Sequence, residues 1–269
     1  MSSTDPNDTP QEPSRAIELE VEVPGTPEEV WRAIATGPGI SSWYVPHTVE
    51  ERAGGAAHAS FGPEPEMQIP GRVAAWEPPH RIVFTGVDDT AGGLAFEWLI
   101  EARESGTCVV RLVNTGFGSG EDWDAQYDGM TEGWRLFLAN LRLHLTHFAG
   151  RTATSMLPMG VRPGTPADVW PSLTAALGIA SDPPIGSRVE LRPTDELHLA
   201  GTVIDKSAHR LTLLVDEPAP GTAFVAAEAM GPQTGVSVWA YLYDDAGAAA
   251  TARDEAPWRA WLLGEGPHA

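Results

Sequence analysis

Few residues in this chain have the types and spacing that chemistry requires, and each has a structural explanation beside the chemical one. His144 and His147 lie three apart near the end of a helical pattern, a spacing that could hold a metal ion. No carboxylate accompanies them in the sequence, and the negative end of a helix dipole accounts for two histidines there. Asp122, Asp124 and Asp128 suggest a calcium loop, but their order fails the EF-hand pattern. They cap and solvate a helix start instead. The chain has no Gly-x-Ser-x-Gly elbow, no phosphate-cradling glycine loop and no His-Glu-x-x-His. A single cysteine, Cys108, excludes an internal disulfide and a cysteine-built zinc site, and it reads as a small core residue. His47 and His58 flank the first hairpin and His80 follows a double proline, while alternation along their strands sends Glu97 and Arg111 outward. No catalytic residue, metal or cofactor is therefore assigned.

The bulk properties narrow the partners. Seventeen basic residues stand against 37 acidic ones, a net charge of −20, and only one of the basic residues is a lysine (Lys206). Such a surface is a poor match for nucleic acid or an anionic membrane, because phosphate binding needs clustered Lys and Arg. With 42% hydrophobic residues and 10 Trp, the 269-residue chain can fill two domain cores. No apolar run is long enough to span a bilayer, and Met1 to Pro13 lacks the layout of a signal peptide, so the expected location is the cytoplasm.

The elements that must position any site follow from periodicity. Residues 1–13 are polar and aperiodic and read as a disordered tail. Ile17, Leu19, Val21 and Val23 alternate with Glu18, Glu20 and Glu22, which predicts a strand with one wet face. Thr26 as N-cap, Pro27 at the first helical position and Glu28-Glu29 predict a short helix, with a further turn at Ile40–Tyr44. Strands follow at Val49–Arg52, Ala57–Phe61, Ile69–Trp76, His80–Gly86, Leu94–Ala102 and Thr107–Asn114, with Gly54-Gly55 as a hairpin turn needing positive φ. Trp123, Tyr127, Met130, Trp134, Phe137 and Leu141 then step by three and four along one long amphipathic helix that ends near Gly150.

The second half repeats this order. Pro24-Gly25-Thr26-Pro27-Glu28-Glu29-Val30-Trp31 returns as Pro163-Gly164-Thr165-Pro166-Ala167-Asp168-Val169-Trp170. Gly71-Arg72-Val73 and His80-Arg81-Ile82 are echoed by Gly201-Thr202-Val203 and His209-Arg210-Leu211. One unit has been duplicated, which gives a first domain over 14–150 and a second over 151–269. The second copy reads as shortened: after Asp254 only about nine residues, with Trp258, Trp261 and Leu262, stand where the first has its long helix. It is expected to lack a long covering helix, and either to pack against the first domain or to present an open sheet face to a protein partner.

Several stretches of the first unit resemble a known superfamily. They are Thr26-Pro27-x-x-Val30-Trp31-x-Ala33-Ile34, Ile40-Ser41-Ser42-Trp43-Tyr44, Gly71-Arg72-Val73 with Pro78-Pro79-His80-Arg81-Ile82, and Gly129-x-x-x-Gly133-Trp134-x-x-Phe137-Leu138. In this order they resemble the helix-grip (SRPBCC) superfamily of START-type and Bet v 1-like proteins, and within it the group similar to the C-terminal domain of the activator of Hsp90 ATPase. The resemblance implies an α+β fold in tandem, each unit a curved antiparallel sheet around a C-terminal helix. It further implies a hollow between sheet and helix, lined here by Trp43, Trp76, Phe84, Phe96, Trp98, Met130, Trp134 and Phe137, with Asn114 and Tyr127 as polar groups near an opening. The function expected on this basis is non-catalytic or ancillary binding of a small hydrophobic molecule by the first domain. An Hsp90-activator-like adaptor and a polyketide cyclase or aromatase are the alternatives that the same resemblance allows.

Overall fold

The computed structural model describes residues 15–87, 93–118 and 121–264, with 121–126 described by backbone alone. The expected tail at 1–13 and the side chains of Asp122, Trp123 and Asp124 lie outside the described residues. Strand β1 (Ile17–Pro24) leads into helices α1 (Pro27–Ala35) and α2 (Gly37–Ser41), then strands β2 (His47–Val49), β3 (Ala56–Ser60), β4 (Gln68–Glu77), β5 (Arg81–Gly86), β6 (Ala95–Ala102) and β7 (Thr107–Thr115), and helix α3 (Glu121–His147). The seven strands form one antiparallel sheet in the order β1-β7-β6-β5-β4-β3-β2.

Register explains which side chains face α3. Cross-strand partners share a face, so Phe96, Phe84 and Val73 form one inward row and Trp98, Ile82 and Trp76 the next. A bulge between Val73 and Ala75 inserts the extra residue that lets both Val73 and Trp76 point inward. Glu97 and Arg111 point outward as alternation requires, and there they meet Arg81 and Glu20 at 2.5 and 2.6 Å.

Strands β8 (Ala153–Met156) and β9 (Met159–Pro163) open the second half, followed by helix α4 (Pro166–Ala176). Strands β10 (Arg188–Leu191), β11 (Leu199–Ser207), β12 (Arg210–Glu217), β13 (Gly221–Met230) and β14 (Gln233–Tyr243) precede helix α5 (Asp244–Leu263). The second sheet runs β10-β11-β12-β13-β14-β8, with β9 also paired to β14. Both sheets thus place their opening strand beside the last strand before the terminal helix. Both first helices begin with the same capping box. Thr26 Oγ1 and Thr165 Oγ1 each accept from the backbone N–H three residues on, while Glu29 and Asp168 reach back to the cap N–H.

Three expectations are corrected. The second domain does have a long covering helix: α5 spans 20 residues against 27 in α3. Its first half, from Asp244 to Arg253, is rich in alanine, which forms helix well but leaves no apolar period to read. Its buried face (Gly247, Ala250, Thr251, Asp254, Trp258, Leu262) has helical spacing. Second, the strand expected at Val49–Arg52 lies at His47–Val49, because Glu50 to Gly55 make the turn and Glu50 Oε2 accepts from the Ala56 N–H at 3.2 Å. Third, only Gly54 of the glycine pair has positive φ, 75°; Gly55 is needed because a Cβ there would lie 2.4 Å from the Glu50 carbonyl.

The second domain packs against the first, with α3 between the two sheets. Val236, Val238, Ala240 and Leu242 face the second core, while Trp239, Tyr241 and Tyr243 face α3. The β13–β14 region is therefore covered on both sides, and the expectation of an open face there for a protein partner does not hold. The seam carries buried hydrogen bonds. Asn140 Nδ2 donates to the Trp43 carbonyl (2.8 Å) and its Oδ1 accepts from Thr222 (2.8 Å). His144 Nδ1 and the Tyr243 hydroxyl lie 2.7 Å apart.

Candidate functional site

Between the first sheet and α3 lies a cavity of about 310 Å³, at the lower end of the size range of small-molecule sites, roughly 300–1,000 Å³. Each wall follows from the fold. Trp43 is anchored at the end of α2 by its indole N–H, which donates to the Ala33 carbonyl at 2.9 Å. Phe84, Phe96 and Trp98 come from the inward rows of β5 and β6, and Met130, Gly133, Trp134 and Phe137 from one face of α3. The rings meet mostly edge to face, as aromatic quadrupoles prefer. Trp98 contacts Trp43 at 5.7 Å and Trp134 at 5.4 Å, and Tyr44 contacts Phe137 at 4.4 Å. Rigid rings so arranged leave space between them. On α3 itself, a Cβ added at Gly133 would meet nothing within 4 Å. The margin at β4 includes Ile69, 42% exposed.

Polar groups are few and sit toward β2 and β3. His47 lines the cavity opposite Ala59. Its backbone N–H donates to Ser41 Oγ (2.8 Å), and its Nδ1 lies 2.8 Å from the Val45 carbonyl. Burial lowers its pKa to about 4 against the pull of that carbonyl, and nearby His58 pushes the same way. His58 borders the cavity, but its Nε2 is bonded to Gln68 Oε1 at 2.8 Å. The Tyr44 phenol, also at the wall, has its pKa raised by burial, so it stays protonated at neutral pH.

The structure brings together Trp43, Phe84, Phe96, Trp98, Met130, Trp134 and Phe137. Trp76 is inward but outside this group: α1 stands before it, and its ring meets Trp31 at 4.9 Å. Neither polar candidate reaches the cavity. Asn114 is fully buried in β7 and donates to the Ala95 carbonyl at 3.0 Å; the Tyr127 hydroxyl donates to the Ala16 carbonyl at 3.0 Å, with its ring against Phe117. His144 is buried in the seam and His147 is exposed, so the pair shares no face. Burial raises the pKa of the Cys108 thiol. Tyr44 and His47 were missed as lining residues. For His47 the signal was pairing: Val49 opposite Ala57 puts His47, two residues earlier, on the same inward face.

Residues 24–146 match the family described as activator of Hsp90 ATPase homolog 1-like protein. No curated protein matches the chain. Among solved structures, the di-domain ARO/CYC BexL from the BE-7585A biosynthetic pathway is 18% identical, with 92% of each chain covered and a TM-score of 0.45. DynU16, from the dynemicin biosynthetic locus, is 20% identical over 93% of this chain and 97% of its own, with a TM-score of 0.43. The Aha1 dimer from Colwellia psychrerythraea is 17% identical over 49% of this chain and 96% of its own, with a TM-score of 0.41. No described helix is long and apolar enough to cross a membrane. The family match thus lies within the first domain, and what the chain shares with these proteins beyond it is the fold.

Proposed function

We propose that the first domain binds a small, flat, hydrophobic molecule in the cavity between its sheet and α3, as a non-catalytic or ancillary cytoplasmic protein. The observation that carries this reading is the hollow itself, which is walled almost wholly by rings and methylenes yet left open by them. Binding is driven by removing apolar surface from water: at about 25 cal/mol per Å², a ligand burying roughly 200 Å² gains about 5 kcal/mol before its ordering costs. Edge-on rings on several sides favour a planar guest over a globular one.

Gly133 supplies the test. A leucine there projects into open space, and it replaces glycine inside a helix, where glycine is unfavourable. Gly133→Leu should fold and should fill the cavity. Naphthalene-type probes, titrated against the tryptophan fluorescence of the wild-type protein, should bind and quench; in Gly133→Leu the quenching should be lost. Equal binding by both proteins, or none by the wild type, would refute the reading.

A further inference from the structure

Resting on that reading, we infer that His47 is a specificity residue whose Nε2 accepts a hydrogen bond from the guest, so that the preferred ligand is a planar ring compound bearing a hydroxyl at its β2–β3 end. The argument is one of donor and acceptor counting. A carbonyl oxygen can only accept, so the 2.8 Å contact between His47 Nδ1 and Val45 O places the ring proton on Nδ1. In the neutral imidazole the other nitrogen is then a bare acceptor. A half-turn of the ring would put Cδ2 against the Val45 carbonyl and lose that bond, and the ring packs on Tyr44 with centroids 5.4 Å apart. No described residue donates to Nε2, and the residue lines the cavity. A half-buried acceptor beside an apolar hollow discriminates by what the guest does to it: one with an O–H at that end completes the bond, and one without it covers the nitrogen and leaves it unpaired. His58 also borders the cavity but is held differently: its Nε2–H donates to Gln68 Oε1, whose own amide nitrogen donates to Ser60 Oγ and the Gly62 carbonyl. The acceptor left on that ring is therefore Nδ1, and the His47→Phe variant tells the two apart.

The probe pair is 2-naphthol and 2-methoxynaphthalene, which share a ring system and differ in the O–H. The wild-type protein should bind 2-naphthol about tenfold more tightly, the size expected for one buried hydrogen bond. His47→Phe, which keeps a ring against Tyr44, should bind the two alike. Failure to bind either probe overturns the cavity reading and this inference together; equal affinities in the wild type, or an unchanged preference in His47→Phe, overturn the inference alone. A measurement on the wild type covers a variant that does not fold. With ¹⁵N-labelled histidine, His47 should show a neutral ring protonated at Nδ1, and its Nε2 resonance should shift on adding 2-naphthol and not on adding the ether. A ring protonated at Nε2 would refute the proposal.

Discussion

The two domains begin with the same capping box and end in the same kind of helix, yet they place their large side chains on opposite sides. In the first domain the rings of Trp43, Phe84, Phe96, Trp98, Trp134 and Phe137 point inward and frame a hollow. In the second, the inward face is Leu211, Leu213, Val225, Val236 and Val238, with Trp258 entering from α5, while Phe224, Trp239, Tyr241 and Tyr243 point outward onto the first domain. Branched aliphatic side chains interdigitate; rigid rings meeting edge to face do not. The same scaffold thus frames a hollow in one half and fills its core in the other, decided by which strand face carries the aromatics.

Substitutions break or sharpen this contrast. Trp258 is fully buried in the second core. Trp258→Ala should cost about 3–5 kcal/mol in urea unfolding. Trp98→Ala should cost clearly less, because part of its ring already borders empty space. Equal losses would mean that the two cores are packed alike. A smaller effect comes from protons. His47 in the wall and His144 in the seam both have their pKa lowered by burial from 6.5 to about 4. The unfolded chain protonates first as pH falls, so the stability each contributes is intact above about pH 6.5 and drains away toward pH 4. Between pH 7 and pH 5 each should account for about 2 kcal/mol, read by denaturation at the two pH values. His144→Gln should remove its share of that loss and leave the share of His47; an unchanged loss would show that the seam does not hold a neutral imidazole. The smallest effects should be matched: Thr26→Ala and Thr165→Ala each remove one capping box and should each cost about 1 kcal/mol. A large inequality between them would show that the two matching helix starts do not play equal parts.

Much of the first domain was legible. Thr26 and Pro27 mark a helix start by chemistry local to four residues, and the three-four stepping of Tyr127 to Leu141 needs only a helix to be seen. Alternation puts Phe96 and Trp98 on one face, whereas the full set of lining rings came with the resemblance, and the covering of Trp76 by Trp31 depends on how α1 lies across the sheet. Asn114 was expected near an opening, and the sequence does not show that its amide is buried and engaged by the Ala95 carbonyl. Helix α5 was hidden by alanine, which carries propensity without pattern. The seam did leave a trace: from Val236 to Tyr243 only Ser237 is polar, as in a strand buried on both faces. The trace says that a cover exists, but not that the cover is α3.

The position of α3 between the sheets limits how the hollow could open. A terminal helix free on its outer flank could swing away from its sheet to admit a guest. Here Asn140 is tied to both Trp43 and Thr222, and Phe137 lies stacked on Trp239 at 5.8 Å, so the lid is bolted to the neighbouring half of the chain. Among the described residues the wall reaches solvent at the β4 margin, where Ile69 is exposed.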